Sequence, residues 1–210
     1  FWSIATDLVA GDTNGLWDIF VHELPGGTLR RVSLTETGGE RNGGTESGTR
    51  NVQPAISGNG RYVAYATTSS NVVAGDTNGV QDLFVVDLDA AGGPRVSRVT
   101  GPGGVQGNGD SPKGQGERPA LSFDGRWIAF TSNASSYGFP ADQVLLLDWQ
   151  QGTVRSATPA GVVGTVYPAA ISREAAYVAF GTNRVLDPRF PEAGLFGFYT
   201  GLAAAFSWRD

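Results

Sequence analysis

Two short loops carry the oxygen side chains from which calcium sites are built. The first reads D-T-N-G-L-W-D over residues 12–18, and the second reads D-T-N-G-V-Q-D over residues 76–82. Ca²⁺ binds six to eight oxygens, which carboxylates, amides and backbone carbonyls around a glycine turn can supply. The sequence therefore suggests one calcium site in each loop, with Ca²⁺ as the candidate cofactor. The candidate ligands are Asp12, Asn14, Asp18, Asp76, Asn78 and Asp82.

The same residues also fit a turn without a metal. Asn-Gly pairs favour tight turns, and Asp and Asn side chains can accept hydrogen bonds from their own backbone. The loops lack the glycine position and the bidentate Glu of an EF-hand. Both interpretations, the calcium site and the self-satisfied turn, stay open. In the third copy, residues 137–142 keep only the last acid, Asp142, so no site is expected there.

These loops belong to a longer repeat. The segment V-Q-P-A-I-S-G-N-G-R-Y-V-A-Y from residue 52 returns as E-R-P-A-L-S-F-D-G-R-W-I-A-F from residue 117. A more divergent copy, V-Y-P-A-A-I-S-R-E-A-A-Y-V-A-F, starts at residue 166. The two Asp-Thr-Asn-Gly loops recur within longer, nearly identical segments that start at residues 8 and 72. A fixed order of recurring elements indicates a repeat architecture.

Each repeat is predicted to fold as four antiparallel strands, a to d in chain order. The best-preserved copy places them at residues 54–57, 61–67, 82–88 and 94–100. Strand b is apolar on both faces, so a single sheet cannot bury both of them. Stacking sheets around an axis covers both faces, which is the β-propeller solution. The fold class predicted is all-β: a β-propeller of four-stranded antiparallel blades, with about four blades present.

The phrase P-A-[LI]-S-x-[DN]-G-R-x-[VI]-A-[FY] resembles the TolB-type (WD-repeat-like) β-propeller repeat. Residues 122–130 match it closely, and residues 57–65 match with Asn59 in place of Asp. The third copy departs from it at residues 173–175, where the turn is expected. The resemblance covers nearly the whole chain. It implies the fold rather than the function, because such repeats occur in binding proteins, periplasmic scaffolds and the non-catalytic halves of peptidases.

The repeat divides residues 1–210, taken as a single propeller segment, into approximate blades at 1–50 (partial), 51–115, 116–164 and 165–210. Residues 1–3 align with the end of strand b, so the first copy lacks strand a and most of strand b. These ragged ends suggest a segment of a larger propeller. Helix should be nearly absent, and nine residues should be buried between sheets: Ile56, Val63, Ala64, Leu121, Ile128, Ala129, Ile171, Val178 and Ala179.

Composition excludes several classes of function. The net charge of −5, with no cluster of Lys or Arg, argues against nucleic-acid binding. The chain has no Cys, which excludes disulfides and thiolate chemistry. His22 lies in a predicted strand, and no G-x-S-x-G motif is present, so no catalytic or cofactor-binding residues are assigned and no enzyme is predicted. No apolar run approaches the ~20 residues of a transmembrane helix.

The predicted topology brings the long loops to one face. The b–c loops and the d–a segments lie at the same end of each sheet, and long loops on a rigid scaffold usually carry binding. The sequence therefore predicts a non-enzymatic, extracytoplasmic scaffold for protein–protein interaction in a bacterial envelope or surface assembly. Its partners would be proteins, including the rest of its own propeller or a larger complex. The alternatives are the propeller portion of a larger, peptidase-type enzyme and a calcium-dependent carbohydrate-binding module.

Overall fold

A computed structural model describes residues 1–43, 53–113, 117–140, 142–158, 166–182 and 195–199. Within these ranges the chain forms strands that pair only in antiparallel ladders. The helical pieces in the described residues are two 3₁₀ turns, Pro102–Gly104 and Ser135–Tyr137. None of the described helices is long and apolar enough to cross a membrane. The predicted all-β class is confirmed.

The described strands form four sheets, here called blades, and each blade follows chain order as a meander. Blade 1 contains β1 (Trp2–Ser3), β2 (Asp18–His22) and β3 (Leu29–Arg31). Blade 2 contains β4 (Ala55–Ile56), β5 (Tyr62–Thr67), β6 (Asp82–Asp87) and β7 (Arg95–Arg98). Blade 3 contains β8 (Ala120–Leu121), β9 (Trp127–Ser132), β10 (Gln143–Asp148) and β11 (Thr153–Ser156). Blade 4 contains β12 (Val166–Ile171), β13 (Tyr177–Thr182) and β14 (Leu195–Tyr199).

Alternation along β5 explains how blade 2 is covered on both faces. Val63 and Tyr65 point to one face, where they pack with Ile19 of blade 1. Ala64 and its same-face neighbours point to the other face and pack with Ile128 of blade 3. A third apolar cluster joins blade 3 to blade 4. The core is therefore a series of layers between successive sheets, as a propeller arc requires.

The a–b turns connect three blades through the backbone. The Asn59 N–H of blade 2 donates to the Phe123 carbonyl of blade 3 at 2.9 Å. The Phe123 N–H donates in turn to the Arg173 carbonyl of blade 4, also at 2.9 Å. The guanidinium carbon of Arg173 lies 3.6 Å from the centre of the Phe123 ring. The turns thus form a repeated contact from blade to blade, in addition to the apolar layers.

The turn of blade 4 keeps its hairpin although its sequence departs from the repeat. The Ala175 N–H donates to the Ser172 carbonyl at 2.9 Å, which closes the turn. Ala175 has φ of 55°, in the left-handed region that Gly60 and Gly125 occupy in the other turns with φ of 77° and 74°. The blade limits predicted near residues 50, 115 and 164 fall outside the described residues.

Nine residues were predicted to be buried between sheets. The prediction is confirmed for five of them, three are half-buried, and it is wrong for Ile56. Ile56 is 55% exposed. It pairs with Val63, on the face of blade 2 that looks toward blade 1. Leu121, Ile171 and Ala179 are half-buried. The five buried residues are Val63, Ala64, Ile128, Ala129 and Val178.

Candidate functional site

The two Asp-Thr-Asn-Gly loops occupy equivalent places in blades 1 and 2. Asp18 opens β2, and Asp82 opens β6. On the neighbouring strand of each blade an arginine lies close to that acid. Arg31 faces Phe20 in the β2–β3 ladder, and Arg98 faces the equivalent Phe84 in the β6–β7 ladder. Each loop is therefore folded against a strand that carries a positive charge.

In blade 1 the guanidinium of Arg31 lies among three carboxylates. Its Nη1 is 2.8 Å from Asp12 Oδ1, 3.0 Å from Glu40 Oε1 and 3.5 Å from Asp18 Oδ2. Its Nη2 donates to the Gly11 carbonyl at 2.8 Å. Burial raises the pKa of Asp12, and the nearby Arg31 charge opposes that rise. The positive charge of Arg31 thus favours the ionised form of the Asp12 carboxyl group.

A second arginine joins this loop to blade 2. Arg41 Nη2 lies 3.1 Å from Asp18 Oδ1 and donates to the Trp17 carbonyl at 2.6 Å. Its Nη1 donates to Thr67 Oγ1, at the end of β5, at 2.8 Å. The Ser33 hydroxyl donates to Asp18 Oδ1 at 2.5 Å. Because Arg41 contacts two blades and is buried, it fixes the loop of blade 1 relative to blade 2.

The asparagine of each loop forms the turn that the sequence predicted as the alternative to a metal. Asn14 Oδ1 accepts a hydrogen bond from the Leu16 N–H at 2.9 Å. Asn78 Oδ1 accepts one from the Val80 N–H at 3.3 Å. The glycine after each asparagine has φ near 66°, a conformation that glycine adopts at little cost. The loops therefore satisfy part of their own backbone without a metal.

The cluster in blade 2 is less charged. Asn78 Nδ2 donates to both oxygens of Asp82, at 3.0 and 2.9 Å, and to the Gly107 carbonyl at 2.8 Å. Arg98 Nη1 lies 3.5 Å from Asp76 Oδ1. Burial raises the pKa of Asp82 to about 6; the hydrogen bond from Asn78 opposes the rise, and the charge of Asp76 adds to it. Asp82 is fully buried, so its carboxylate is poorly solvated.

Calcium binding at these loops stays a prediction. In both loops an arginine side chain already lies beside the acids that would bind the ion. A cation at the first loop would have to displace the guanidinium of Arg31, and one at the second would compete with Arg98. Within the described residues, no three acidic or histidine side chains come together in a way that could hold a metal ion. The six predicted ligands form two separate clusters, Asp12 with Asp18 and Asp76 with Asp82, each beside its own asparagine.

In blade 3 the residue equivalent to Asp82 is not Asp142, the acid that the sequence comparison placed there. The residue that opens β10, in the place of Asp18 and Asp82, is Gln143, because it faces Ser132 as Asp82 faces Thr67. Asp142 lies one position earlier, with φ of 66°, and forms an ion pair with Lys113. Blade 3 therefore keeps no acid at the start of its third strand.

The long loops lie together on one face and are joined by two asparagines of the d–a segments. Asn42 Nδ2 donates to Ser70 Oγ at 3.0 Å, and Asn42 Oδ1 accepts from the Ser70 N–H at 3.1 Å. Asn108 Nδ2 donates to Ser135 Oγ at 3.0 Å, and its Oδ1 accepts from the Ser136 N–H at 3.0 Å. Each asparagine bridge ties the segment leaving one blade to the b–c loop of the next.

The spacing of residues in the sequence does not reveal the side chains that hold the loops. Arg31 and Glu40 lie far along the chain from Asp12, so spacing does not relate them. The asparagine bridges had a signal in the sequence: an Asn-Gly pair, at residue 42 and again at residue 108, stands in each d–a segment ahead of the P-A-[IL] strand. His22 lies at the exposed end of β2, and no hydrogen bond from its side chain is found within the described residues.

The stacked antiparallel meanders define the chain as a segment of a β-propeller. More particularly, it has the fold of the TolB-type propeller repeat, at low sequence identity. A TolB structure from Agrobacterium tumefaciens is 20% identical with a TM-score of 0.51, and the match covers 89% of this chain and 54% of that one. The chain thus spans about half the length of that protein.

Two further solved structures match the chain at lower similarity. TolB from Acinetobacter baumannii is 15% identical with a TM-score of 0.49, covering 90% of this chain and 36% of that one. An acylaminoacyl peptidase from Pyrococcus horikoshii is 14% identical with a TM-score of 0.39, covering 73% of this chain and 24% of that one. No known protein-family profile and no curated protein matches the chain.

A calcium titration separates the two interpretations of the loops. Melting curves of the parent chain and of an Asp12→Ala, Asp76→Ala double variant would be recorded in calcium and in chelator. A bound ion at ~100-fold above its Kd would stabilise the fold by about 2.7 kcal/mol. We expect no calcium-dependent change in Tm, because Arg31 lies between the carboxylates of the first loop and Arg98 pairs with Asp76 in the second. A rise in Tm that disappears in the double variant would establish the metal site.

The buried Asp82 predicts a pH dependence of stability. Folding raises the pKa of Asp82 from 3.8 to about 6. The contribution of this side chain to the free energy of unfolding is therefore complete below pH 3.8, where it is protonated in both states, and is lost as the pH rises through about 6. Asp82→Asn removes that loss. The free energy of unfolding of the variant relative to the parent should therefore increase by up to ~3 kcal/mol between about pH 4 and pH 8. Urea unfolding at both pH values measures this difference.

Asp18→Asn is the matched control in blade 1. Asp18 accepts hydrogen bonds from Arg41 and Ser33, so its replacement should destabilise the chain at neutral pH. The two equivalent substitutions should thus act in opposite directions at about pH 8. Destabilisation by Asp82→Asn at that pH would contradict the claim that burial disfavours the ionised Asp82 carboxylate.

Proposed function

We propose that this chain is a non-enzymatic β-propeller scaffold that binds a protein partner through its loop face. The loop face is defined as the described b–c loops and d–a segments: residues 4–17, 32–43, 68–81, 99–113 and 133–140. The observation that carries the proposal is that these loops are fixed to one another by side-chain hydrogen bonds. A pre-organised surface loses less conformational entropy on binding than a mobile one.

The first b–c loop shows how firmly the segments are joined. Glu40 accepts hydrogen bonds from the Thr13 N–H at 2.7 Å and from the Thr13 hydroxyl at 2.8 Å. These bonds, followed by that from Arg31, lower the pKa of Glu40 to about 2. Glu36 reaches forward to the next blade, where it accepts from the Ala74 N–H at 2.8 Å. Glu40 therefore stays charged at physiological pH and its bonds stay formed.

The chemistry of the loop face favours a polar partner surface. Among its described residues, the large apolar side chains that are exposed are Ile4, at 49%, and Val105, at 44%. The rest of the exposed surface is formed mainly by Thr, Asn, Ser and Gly. Protein interfaces outside obligate complexes are about as polar as other surface, and hydrogen bonds at their rim give specificity. A folded protein that offers complementary polar groups is therefore the proposed partner.

The proposed location is outside the cytoplasm, in a bacterial envelope or surface assembly. The TolB-type fold supports it, since the repeat occurs in periplasmic scaffolds. The lack of cysteine and the acidic, arginine-biased composition are compatible with that location. The match covers about half of the TolB structure from Agrobacterium tumefaciens. Any partner or activity that belongs to a whole propeller protein is therefore proposed for this chain and is not shown for it.

Paired surface variants test the proposal. Thr77→Arg with Val105→Arg places two charges on the loop face, and Ala91→Arg with Gln150→Arg places two on the opposite face, where the c–d turns lie. All four residues are exposed, so both variants should fold. Proteins of the envelope fraction of the source cell would be captured on each immobilised variant and on the parent chain.

We expect one partner to be retained by the parent and by the turn-face variant, and to be reduced at least about tenfold by the loop-face variant. Purified partner would then be titrated against all three chains by calorimetry. Equal binding by the two variants would contradict the loop face as the binding surface. Turnover of a substrate by the isolated chain would contradict the non-enzymatic part of the proposal.

A further inference from the structure

Five asparagines of this chain are followed directly by glycine: Asn14, Asn42, Asn59, Asn78 and Asn108. The backbone nitrogen of the residue after an asparagine can attack the side-chain amide carbon, Cγ, and close a succinimide ring. Glycine has no Cβ to crowd this approach. The reaction also needs a following N–H that can lose its proton, a side chain folded over that N–H, and an amide nitrogen that can leave as ammonia.

The contacts of three of these asparagines oppose the reaction. Asn42 and Asn108 each use both side-chain polar atoms in hydrogen bonds to the b–c loop of the next blade. Their amides are therefore held against a neighbouring segment and not over their own backbone. At Asn59 the attacking nitrogen is already bonded, because the Gly60 N–H donates to the Ser57 carbonyl at 2.9 Å.

The other two asparagines have the folded side chain that the reaction needs. Asn14 Oδ1 accepts from the Leu16 N–H at 2.9 Å, and Asn78 Oδ1 accepts from the Val80 N–H at 3.3 Å, which folds each side chain over the glycine between them. A donor at Oδ1 also stabilises the negative charge that develops there during attack. Within the described residues, the glycine N–H of neither loop makes a hydrogen bond.

The amide nitrogen distinguishes the two loops. Asn78 Nδ2 donates to both oxygens of Asp82, at 3.0 and 2.9 Å, and to the Gly107 carbonyl at 2.8 Å. Asn14 Nδ2 is buried and has no hydrogen-bond acceptor in the part of the chain that the structure describes. The equivalent acid of blade 1, Asp18, accepts from other donors instead. Hydrogen bonds therefore hold the leaving group in blade 2, whereas no described acceptor holds it in blade 1.

We infer that Asn14 is a site of spontaneous deamidation, a modification for which water is the only co-reactant. The Gly15 nitrogen gives up its proton and bonds to Asn14 Cγ, the Cγ–Nδ2 bond breaks, and the amide nitrogen leaves with that proton as ammonia. Water then adds to either carbonyl of the succinimide and opens the ring. The product carries an aspartate or an isoaspartate at position 14, and no oxidant or reductant takes part.

The modification acts on the junction between blades 1 and 2. An isoaspartate routes the backbone through its Cβ and so lengthens the loop just before Trp17. The Trp17 carbonyl accepts a 2.6 Å hydrogen bond from the buried Arg41, which also binds Thr67 of blade 2. An aspartate instead adds a negative charge to a loop that already holds Asp12 and Asp18. Either product should weaken the contact between the blades, and this inference does not rest on the proposed function.

Incubation of the folded chain at mildly alkaline pH, followed by peptide mapping at timed intervals, tests the inference. Cleavage after arginine places the five asparagines in separate peptides, and mass spectrometry follows the conversion of each amide to an acid. We expect Asn14 to react at least about tenfold faster than Asn78, because the hydrogen bonds of Asn78 Nδ2 must break first. In urea the two rates should be similar, since both asparagines stand in the same Asp-Thr-Asn-Gly sequence.

Two variants serve as controls. Asp82→Ala removes an acceptor from Asn78 Nδ2, so it should raise the rate at Asn78 and leave the rate at Asn14 unchanged. Asn14→Gln should stay unmodified at that position, because glutamine must close a larger ring. After prolonged incubation, the parent chain should show a lower Tm than its fresh sample, and Asn14→Gln should keep its own.

Several results would overturn the inference. Equal rates at Asn14 and Asn78 in the folded chain would show that the hydrogen bonds do not matter. A difference that persists in urea would assign the selectivity to sequence alone. An Asn14 that reacts in urea but stays intact in the folded chain would show that the fold protects it. An unchanged Tm in converted parent chain would contradict the effect on the junction between blades 1 and 2.

Discussion

Each sheet of this protein has two apolar faces, and it cannot cover both by itself. The rest of the structure follows from that constraint. Blade 2 meets it fully, because β5 and β6 bury side chains against blade 1 on one face and against blade 3 on the other. Burial of apolar area contributes about 25 cal/mol per Å², so these layers supply most of the favourable free energy. Blade 1 packs one of its faces against blade 2 through Ile19.

The polar loops rest on this stack and show how a repeated sequence diverges. Blade 1 places Arg41 and Glu40 where blade 2 has Gly107 and Gln106. The first cluster is therefore a network of arginines and carboxylates. In the second, Asp82 is left buried with an amide as its nearest donor. Buried ion pairs add little net stability but do fix geometry. The same loop sequence is thus held mainly by ion pairs in one blade and mainly by hydrogen bonds from an amide in the next.

Much of the fold could be predicted from the sequence because the repeat fixes both element order and strand period. The strand from Tyr62 to Thr67 and the turns at Asn14 and Asn78 follow from alternation and from Asn-Gly chemistry alone. Contacts between distant segments could not be predicted, and Arg31 beside Asp12 is the clearest case. Ile56 shows the same limit, since alternation assigns a residue to a face but does not say whether a neighbouring sheet covers it. Gly125 is equally ambiguous in sequence, where it looks like any turn glycine.

Gly125 and Gly60 together test the central claim that each sheet is held by the next one. Both have positive φ, but only Gly125 has a ring of the neighbouring blade at the position of an added Cβ. By chemical denaturation, Gly60→Ala should cost ~1–2 kcal/mol of unfolding free energy through backbone strain alone. Gly125→Ala should cost a further ~1–3 kcal/mol, because the Tyr62 ring must move. Equal costs for the two substitutions would contradict the account.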